Sequence, residues 1–523
     1  MKSQREHLLL LSFLGLVLAL YLVIAYVSSM EGDFAWVWAW VDGSHFLGTD
    51  DAYRYFLSKY AFSGPEIYSW DYVLPLCTFI FGTITELTGS SLFASRAVII
   101  LISLIGIVYL YRCLRELNIN NGPAFAALVV YAFMPVVVMM NISFYGETLL
   151  MLFYPVGIFL WLRDDFLKAA LVLSLLPLVR PEGIYLLAPF SIYFLLNRRY
   201  FPFLISGFAG FVYLVFLLIY FEGDISYLYD WRTELREVWS LFYMGNTYTF
   251  PFMSTFNALW IMASVSGILF PSIRRLWPLW LGPLIWFIFY GSLVATGLSS
   301  YVPRYFIACF PVMTIGFAYF LDYMAKDMRS GARKKMGGLF VVLVTGFITS
   351  EHLLQIDPLK NHLGIPRLPV DFTPNSNKEF QYLDESGISN VSEMADAVEQ
   401  ILQDNKSVDT LLVFDPDIFY FLSDKVVKND WRVMLAPIAQ QISVGVTGGS
   451  YFSYGQFGRK YRYFDLFAPQ GDIEGVALYV GHLETPPQIP QFRFGERTLS
   501  VVGYRESSEP ADMLEKRVWL YEK

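Results

Sequence analysis

"LLLLSFLGLVLALYLVIAYVS", residues 8–28, carries no charged side chain. About 20 apolar residues, rising 1.5 Å each in a helix, cross the roughly 30 Å hydrocarbon layer of a bilayer. The stretch therefore predicts a membrane-spanning helix. Lys2 and Arg5 precede it and no small-residue cleavage site follows, so it reads as a retained first helix rather than a removed signal peptide. The rest of the chain has the same character. Of 523 residues 55% are hydrophobic and 16% charged, with 46 Phe and 35 Tyr, a composition suited to lipid. A net charge of −8 argues against a nucleic-acid partner, which would need a basic surface. Cys77, Cys113 and Cys309 are far apart and mostly in apolar surroundings, so they read as small core residues and not as disulfides or metal ligands.

Working outward, further spanning candidates lie at about 96–111, 123–141, 146–162, 201–221, 255–271, 277–297, 304–323 and 337–351. Two shorter runs, about 167–179 and 184–196, flank "VRPEG" and read as a pair that enters, breaks near Pro181 and Gly183, and returns. The total is about eleven elements. Lys and Arg collect on alternate loops: Arg112 and Arg115; Arg163 and Lys168; Arg198 and Arg199; Arg274 and Arg275; then Lys326, Arg329, Arg333, Lys334 and Lys335. By the positive-inside rule these loops are cytoplasmic, which puts the N-terminus inside and, with an odd number of crossings, the C-terminus outside. The expected fold is an α-helical polytopic membrane domain, residues 1–352, with a C-terminal extracytoplasmic domain at 353–523. The runs "TLLVFD", "GVALYV", "TLSVVGY" and "RVWLYEK" look like strands and 391–403 like a helix, so that second domain is expected to be mixed α/β. A first outer loop spans 31–95, and an aromatic, amphipathic outer segment at 222–253 reads either as a lid on the membrane surface or as a plain interfacial connector.

On the outer side, ionisable residues stand at the ends of several membrane elements: Asp50 and Asp51 in "GTDDAYRYF", Glu147 in "NISFYGETLL", Arg180 and Glu182 in "LVRPEGIY", and Arg304 in "SSYVPRYF". Charges near bilayer depth are costly, and a set of them on one face suggests a functional site. Each also has a plainer reading. Acids in an outer loop can be a solvated face. Arg180 and Glu182 can be an ion pair that holds the hairpin, Glu147 an acid at a helix N-terminus, and Arg304 an interface anchor beside Tyr301 and Tyr305. Taken together they supply what one reaction requires. Transfer of a sugar from a lipid-linked phosphate to a hydroxyl needs a base for the acceptor proton and cations for the departing phosphate. A carboxylate beside another, or in a dry cleft, keeps its basicity, and an arginine fork matches phosphate oxygens.

These motifs make the chain resemble the GT-C superfamily of integral-membrane glycosyltransferases. It is most similar in layout to the branch of protein O-mannosyltransferases and aminoarabinose transferases. The resemblance covers about residues 1–350 and rests on "DD" within "GTDDAYRYF", "SFYGE", "RPEG" and "VPRYF". It implies that Asp50 is the catalytic base with Asp51 as its companion, and that Arg304 and Arg180 contact the donor phosphate. Glu182, Glu147, Tyr301 and Tyr53 would support them. The partners implied are a polyprenyl-phosphate-linked sugar, a hydroxyl acceptor on a protein, glycolipid or glycan, and membrane lipid. The family's first acidic pair is usually Asp-Glu, whereas this chain has Asp-Asp, so either aspartate can be the base. Some relatives bind a divalent cation between two acidic motifs. Here one pair plus a distant glutamate favours chemistry with no required cofactor and no metal, with a divalent cation as the alternative.

A transporter or lipid flippase would also have many helices, a broken pair and buried charges. It should place them at mid-membrane and often shows a repeated half, whereas these collect at outer ends and no repeat is visible. A non-catalytic receptor would not need the acid and arginine set. The absence of a transit peptide, a retention signal or cysteine pairing points to a prokaryotic plasma membrane. Sequons at Asn141, Asn390 and Asn405 do not overturn that.

Overall fold

The run at 8–28 forms the apolar body of α1 (Lys2–Ser29). One face of it, Val17, Tyr21 and Ile24 at helical spacing, is buried, while Leu8, Leu11, Leu16 and Val23 on other faces are more than half exposed. An exposed apolar stripe on a helix is what lipid contact requires. Tyr21 donates its hydroxyl to the Ala132 carbonyl at 2.6 Å, satisfying one of the carbonyls that a helix C-terminus leaves open. Phe13 packs edge-on against Phe125 and Phe133.

The structure is a computed structural model. It describes residues 2–29, 54–55, 58, 61–62, 74–89, 91–220, 263–266, 276–295 and 303–327, and the strand residues 408–413, 432–435, 476–481, 498–504 and 517–522. The chain divides into two compact units. The first comprises Met1–Ser44, Leu92–Gly223 and Tyr243–Phe380; the second comprises His45–Ser91, Asp224–Phe242 and Gln381–Lys523.

In chain order the described helices after α1 are α2 (Pro75–Leu87), α3 (Leu92–Glu116), α4 (Asn121–Ala132), α5 (Pro135–Asn141), α6 (Gly146–Leu162), α7 (Phe166–Leu173) and α8 (Leu176–Val179). They continue as α9 (Gly183–Leu196), α10 (Tyr200–Ser206), α11 (Phe208–Tyr220), α12 (Trp277–Ala295), a 3-10 turn at Pro303–Cys309, and α13 (Phe310–Asp327). Among the described residues three stretches are long and apolar enough to cross a bilayer alone: Glu6–Tyr26, Leu92–Glu116 and Phe306–Lys326. The bent pair Tyr200–Ser206 and Phe208–Ile219, at 41°, makes a fourth if taken as one span.

Several expected spans are broken, for reasons present in the sequence. The run 123–141 divides into α4 and α5 at Phe133 and Met134, just before Pro135. The residue before a proline is pushed out of the helical region, and proline cannot continue the preceding hydrogen-bond ladder. The run 167–179 likewise divides at Ser174 and Leu175, ahead of Pro177. Inside the expected first outer loop, 31–95, the structure places the apolar helix α2. The candidates at 255–271 and 337–351 lie mostly or wholly outside the described residues.

In the first unit, α3 packs along α6, α1 and α4, and α9 packs along α12. The backbones of α3 and α6 come close at Gly106, where a Cβ would stand 2.7 Å from the Met151 carbonyl oxygen. Such small-residue contacts let membrane helices gain dispersion energy where no hydrophobic drive separates protein from lipid.

The loops read as cytoplasmic meet at one end of this unit. Arg163 pairs with Glu116 at 3.6 Å, Arg112 and Arg163 lie over the Phe159 ring, and Arg199 lies over Phe166. Asn120 hydrogen-bonds Asp322 at the end of α13, and Tyr319 donates to the Leu117 carbonyl at 3.3 Å. Lys168 donates to Asp165 at 2.7 Å, which holds that carboxyl below its usual range. The helices α3, α6 and α9 stop at this end on left-handed residues, Asn118, Asp164 and Arg198. Three separate loops with the same charge signature thus come together.

In the second unit, α2 contacts Ser58 and Phe62. The Ser58 and Thr85 hydroxyls hydrogen-bond at 2.7 Å, Ser58 also donates to the Tyr55 carbonyl, and Phe62 meets Phe79 edge-on. Further along the chain are β1 (Val408–Val413), β2 (Arg432–Leu435), β3 (Val476–Gly481), β4 (Thr498–Tyr504) and β5 (Arg517–Glu522). They form one sheet in the order β2-β1-β3-β5-β4. β1 is parallel to β2 and β3, with Leu411 opposite Val433 and Leu478, while β5 is antiparallel to β3 and β4. Parallel neighbours need crossovers of a dozen or more residues, and the chain between them is long enough. The helix expected at 391–403 lies outside the described residues.

Candidate active site

The hairpin "VRPEG" is built by its own local chemistry. Pro181 forces Arg180 into an extended conformation, φ −151 and ψ 142, which ends α8. Glu182 then returns to helical angles, φ −62 and ψ −21, and α9 begins at Gly183. A Cβ on Gly183 would stand 2.3 Å from the Leu176 carbonyl carbon and oxygen, so only glycine fits this reversal. The two arms close again at their far ends, where Phe166 packs on Tyr193 and Phe194. Gly183→Ala is expected to cost about 1–3 kcal/mol of stability by overpacking, read as a lower unfolding temperature of the purified protein.

The turn aims three charges at one another. Arg180 presents its fork to Glu182, Nε to Oε2 at 3.0 Å and Nη2 to Oε1 at 2.5 Å. Its Nη1 reaches Glu147 Oε1 at 2.5 Å. The side chain of Glu147 is 0% exposed, that of Arg180 12% and that of Glu182 10%. Taking such ions out of water costs several kcal/mol each, and the fork geometry with its charge-assisted bonds is what offsets it. Glu147 sits in the first turn of α6, where the helix dipole favours a carboxylate.

The turn before Glu147 is held by its own polar groups. Ser143 and Thr148 both donate to the Met140 carbonyl, and Asn141, Ser143 and Thr148 are buried. The Asn141 sequon is thereby inaccessible, with that side chain 1% exposed.

Arg304 lies in the 3-10 turn Pro303–Cys309, which packs against α5 and α6, the two helices that flank the Glu147 turn. Asp50, Asp51, Tyr53 and Tyr301 lie outside the described residues. Immediately after the aspartates, Arg54 and Tyr55 are buried in the second unit. Among the described residues no three His, Cys, Asp or Glu side chains come together in a way that could hold a metal ion.

Sequence reasoning did not single out Arg54, Arg96 or Thr148. Arg96 is 0% exposed inside α3. The available signal was a lone cation within an apolar run.

The apolar helices thus carry a buried acid–arginine cluster at the end of α6 opposite the basic residue Arg163. Residues 73–221, which carry Glu147, Arg180 and Glu182, match the model of the family described as dolichyl-phosphate-mannose-protein mannosyltransferase. The match bears out the resemblance over that segment, and no finding favours the transporter reading. The crystal structure of ArnT from Cupriavidus metallidurans bound to undecaprenyl phosphate is similar at 14% identity and a TM-score of 0.48, covering 96% of this chain and 97% of that chain. A likeness of that size carries no argument about residues or substrate. The comparison with curated proteins found no match.

Proposed function

We propose that the protein is an inverting glycosyltransferase that moves a sugar from a polyprenyl-phosphate donor to a hydroxyl acceptor on the outer side of the membrane. The observation that carries this reading is the buried Glu147–Arg180–Glu182 cluster within the matched segment. In the proposed reaction the acceptor oxygen attacks the anomeric carbon from the face opposite the phosphate. The acceptor O–C bond forms as the C–O bond to phosphate breaks, and the electron pair leaves with the polyprenyl phosphate. Asp50 takes the acceptor proton and Asp51 positions or polarises Asp50. Arg304 and Arg180 neutralise the leaving phosphate, in a geometry set before the donor arrives. Glu182 holds the Arg180 fork, which the 3.0 Å and 2.5 Å contacts support. Glu147 fixes the third side of the guanidinium.

The outer-facing site, the cytoplasmic N-terminus, the extracytoplasmic α/β domain at 353–523 and the plasma-membrane location belong to the same proposal. The convergence of the basic loops at the end of α6 opposite Glu147 supports it. The test is the stereochemistry of the product. Transfer from an anomerically defined polyprenyl-phosphate sugar should invert that centre in the NMR spectrum of the product, with a rate unchanged by EDTA. A retained configuration would exclude the single displacement, and loss of rate in EDTA would place a divalent cation in the site.

A further inference from the structure

We infer that Arg198 and Arg199, at the end of α9 opposite Glu182, form with the apolar side chains around them a docking site for an anionic phospholipid. The two guanidiniums hold its phosphate headgroup and the apolar side chains its acyl chains. Helices α3, α6 and α9 all close at this end by the same turn, with Asn118, Asp164 and Arg198 left-handed at φ 58, 60 and 55. At the end of α9 the Arg198 N–H donates to the Leu195 carbonyl at 3.0 Å and the Arg199 N–H to the Phe194 carbonyl at 2.8 Å. Asparagine and aspartate enter the left-handed region readily, whereas arginine does so at a cost. An asparagine is at hand, but Asn197 stands one position earlier, at an ordinary φ of −91. The strained position thus carries a cation, and strain held in this way recurs at ligand clamps.

The charge of this pair is left for a ligand. Elsewhere at the same end Arg163 pairs with Glu116, Lys168 with Asp165 and Lys326 with Asp322, and Arg115 donates to the Ile119 carbonyl. Arg198 and Arg199 are exposed and form no ion pair among the described residues, not even with Asp164 of the α6–α7 loop. Arg199 lies over the Phe166 ring, 5.2 Å from its centre, a contact that orients the guanidinium without neutralising it. Around the pair, Leu196, Tyr200, Phe201 and Leu204 are each more than half exposed. Leu167 and Leu171 of α7, which packs on α10, extend the same apolar border. Two adjacent positive charges beside apolar surface match a phosphate that carries acyl chains. A soluble anion would use the charges and not the border, and a zwitterionic lipid would bring its own cation against the arginines. Charge complementarity therefore selects an anionic lipid. On the proposed sidedness this end faces the cytoplasmic leaflet, the one that carries such lipids.

The experiment titrates the full chain in detergent micelles with phosphatidylglycerol, and separately with phosphatidylcholine of the same acyl chains. Native mass spectrometry reads the affinity of the first bound lipid, and unfolding temperature checks folding. Wild type is compared with the double variant Arg198→Gln, Arg199→Gln, and with Arg163→Gln, Lys168→Gln, which removes two cations of the same end that already have acidic partners. Wild type should prefer phosphatidylglycerol. The 198–199 double variant should bind phosphatidylglycerol about thirtyfold more weakly, about fivefold for each arginine, and phosphatidylcholine as wild type does. The 163–168 variant should stay within about threefold of wild type for both lipids. Arg198→Asn, which suits the left-handed turn, should weaken phosphatidylglycerol about fivefold with no fall in unfolding temperature. Equal wild-type affinity for the two lipids would overturn the inference and point to a soluble partner instead. An equal loss of both lipids would overturn it too, as would a 163–168 variant as weak as the 198–199 variant, since the effect would then be the general charge of this end. If the 198–199 double variant does not accumulate as folded protein, Arg198→Asn decides: weaker phosphatidylglycerol binding at unchanged unfolding temperature supports the inference, and unchanged binding overturns it.

Discussion

Asp50→Asn is expected to lower kcat by about 10²- to 10⁴-fold, the usual worth of a positioned general base, with little change in donor KM and no change in unfolding temperature. The substitution keeps the shape of the side chain and removes its ability to accept a proton. An attacking hydroxyl is a poor nucleophile until its proton has somewhere to go, so the loss should fall on turnover and not on binding. Asp51→Asn should cost less, because its proposed part is to hold or polarise Asp50. If the two variants exchange these behaviours, the base is Asp51. If both turn over near the wild-type rate, neither carboxylate takes the proton and the proposed chemistry fails.

The largest effect on stability is expected at Arg180. In Arg180→Met the guanidinium that meets both glutamates is gone, while Glu147 stays fully buried at the start of α6. Removing one member of a buried ion pair costs about 3–5 kcal/mol, because the other charge is left without compensation. The expected reading is a strongly lowered unfolding temperature of the purified protein. Arg180→Lys should fall between, since an ammonium cannot present a two-pronged fork to Glu182 and reach Glu147 as well. The double variant Arg180→Met with Glu147→Gln should recover part of the loss, because the uncompensated buried carboxylate is then absent. An Arg180→Met protein as stable as wild type would show that the three side chains do not share this arrangement.

The sequence made the helical membrane class legible because lipid imposes a length and a composition that appear directly as uncharged runs such as 8–28. The grouping of the loops of Arg112, Arg163 and Arg199 was legible too, through their shared charge, and the structure gathers them at one end. Breaks inside the runs were harder to see. Hydropathy is blind to backbone geometry, so 123–141 reads as one span although Pro135 divides it. Helix α2 was hidden for the opposite reason: Thr78, Gly82, Thr83, Thr85 and Glu86 dilute its hydropathy, and its small and polar face is what seats the 54–62 segment through Ser58 and Thr85. Four of the five strands were readable as short β-branched runs, while β2, with four residues, was too short to stand out.

At the site, the Arg180–Glu182 pair was visible because two residues across a Pro-Glu-Gly turn must be neighbours. Glu147 was named as a site candidate too, but its contact with Arg180 was not visible. Glu147 is 33 positions away and reaches Arg180 only because the hairpin packs on α6. Arg96 escaped notice because a single cation near the edge of an apolar run looks the same whether it reaches out to the interface or turns inward. Only its enclosure tells the two apart.

The central claim, that the protein transfers sugar from a lipid-linked phosphate, is tested most directly by incubating the purified full chain with a panel of radiolabelled polyprenyl-phosphate sugars and membrane-extract acceptors. One donor should be consumed, with label moving to an acceptor and polyprenyl phosphate released in equal amount. Folded protein that neither transfers nor hydrolyses any donor of the panel would contradict the account.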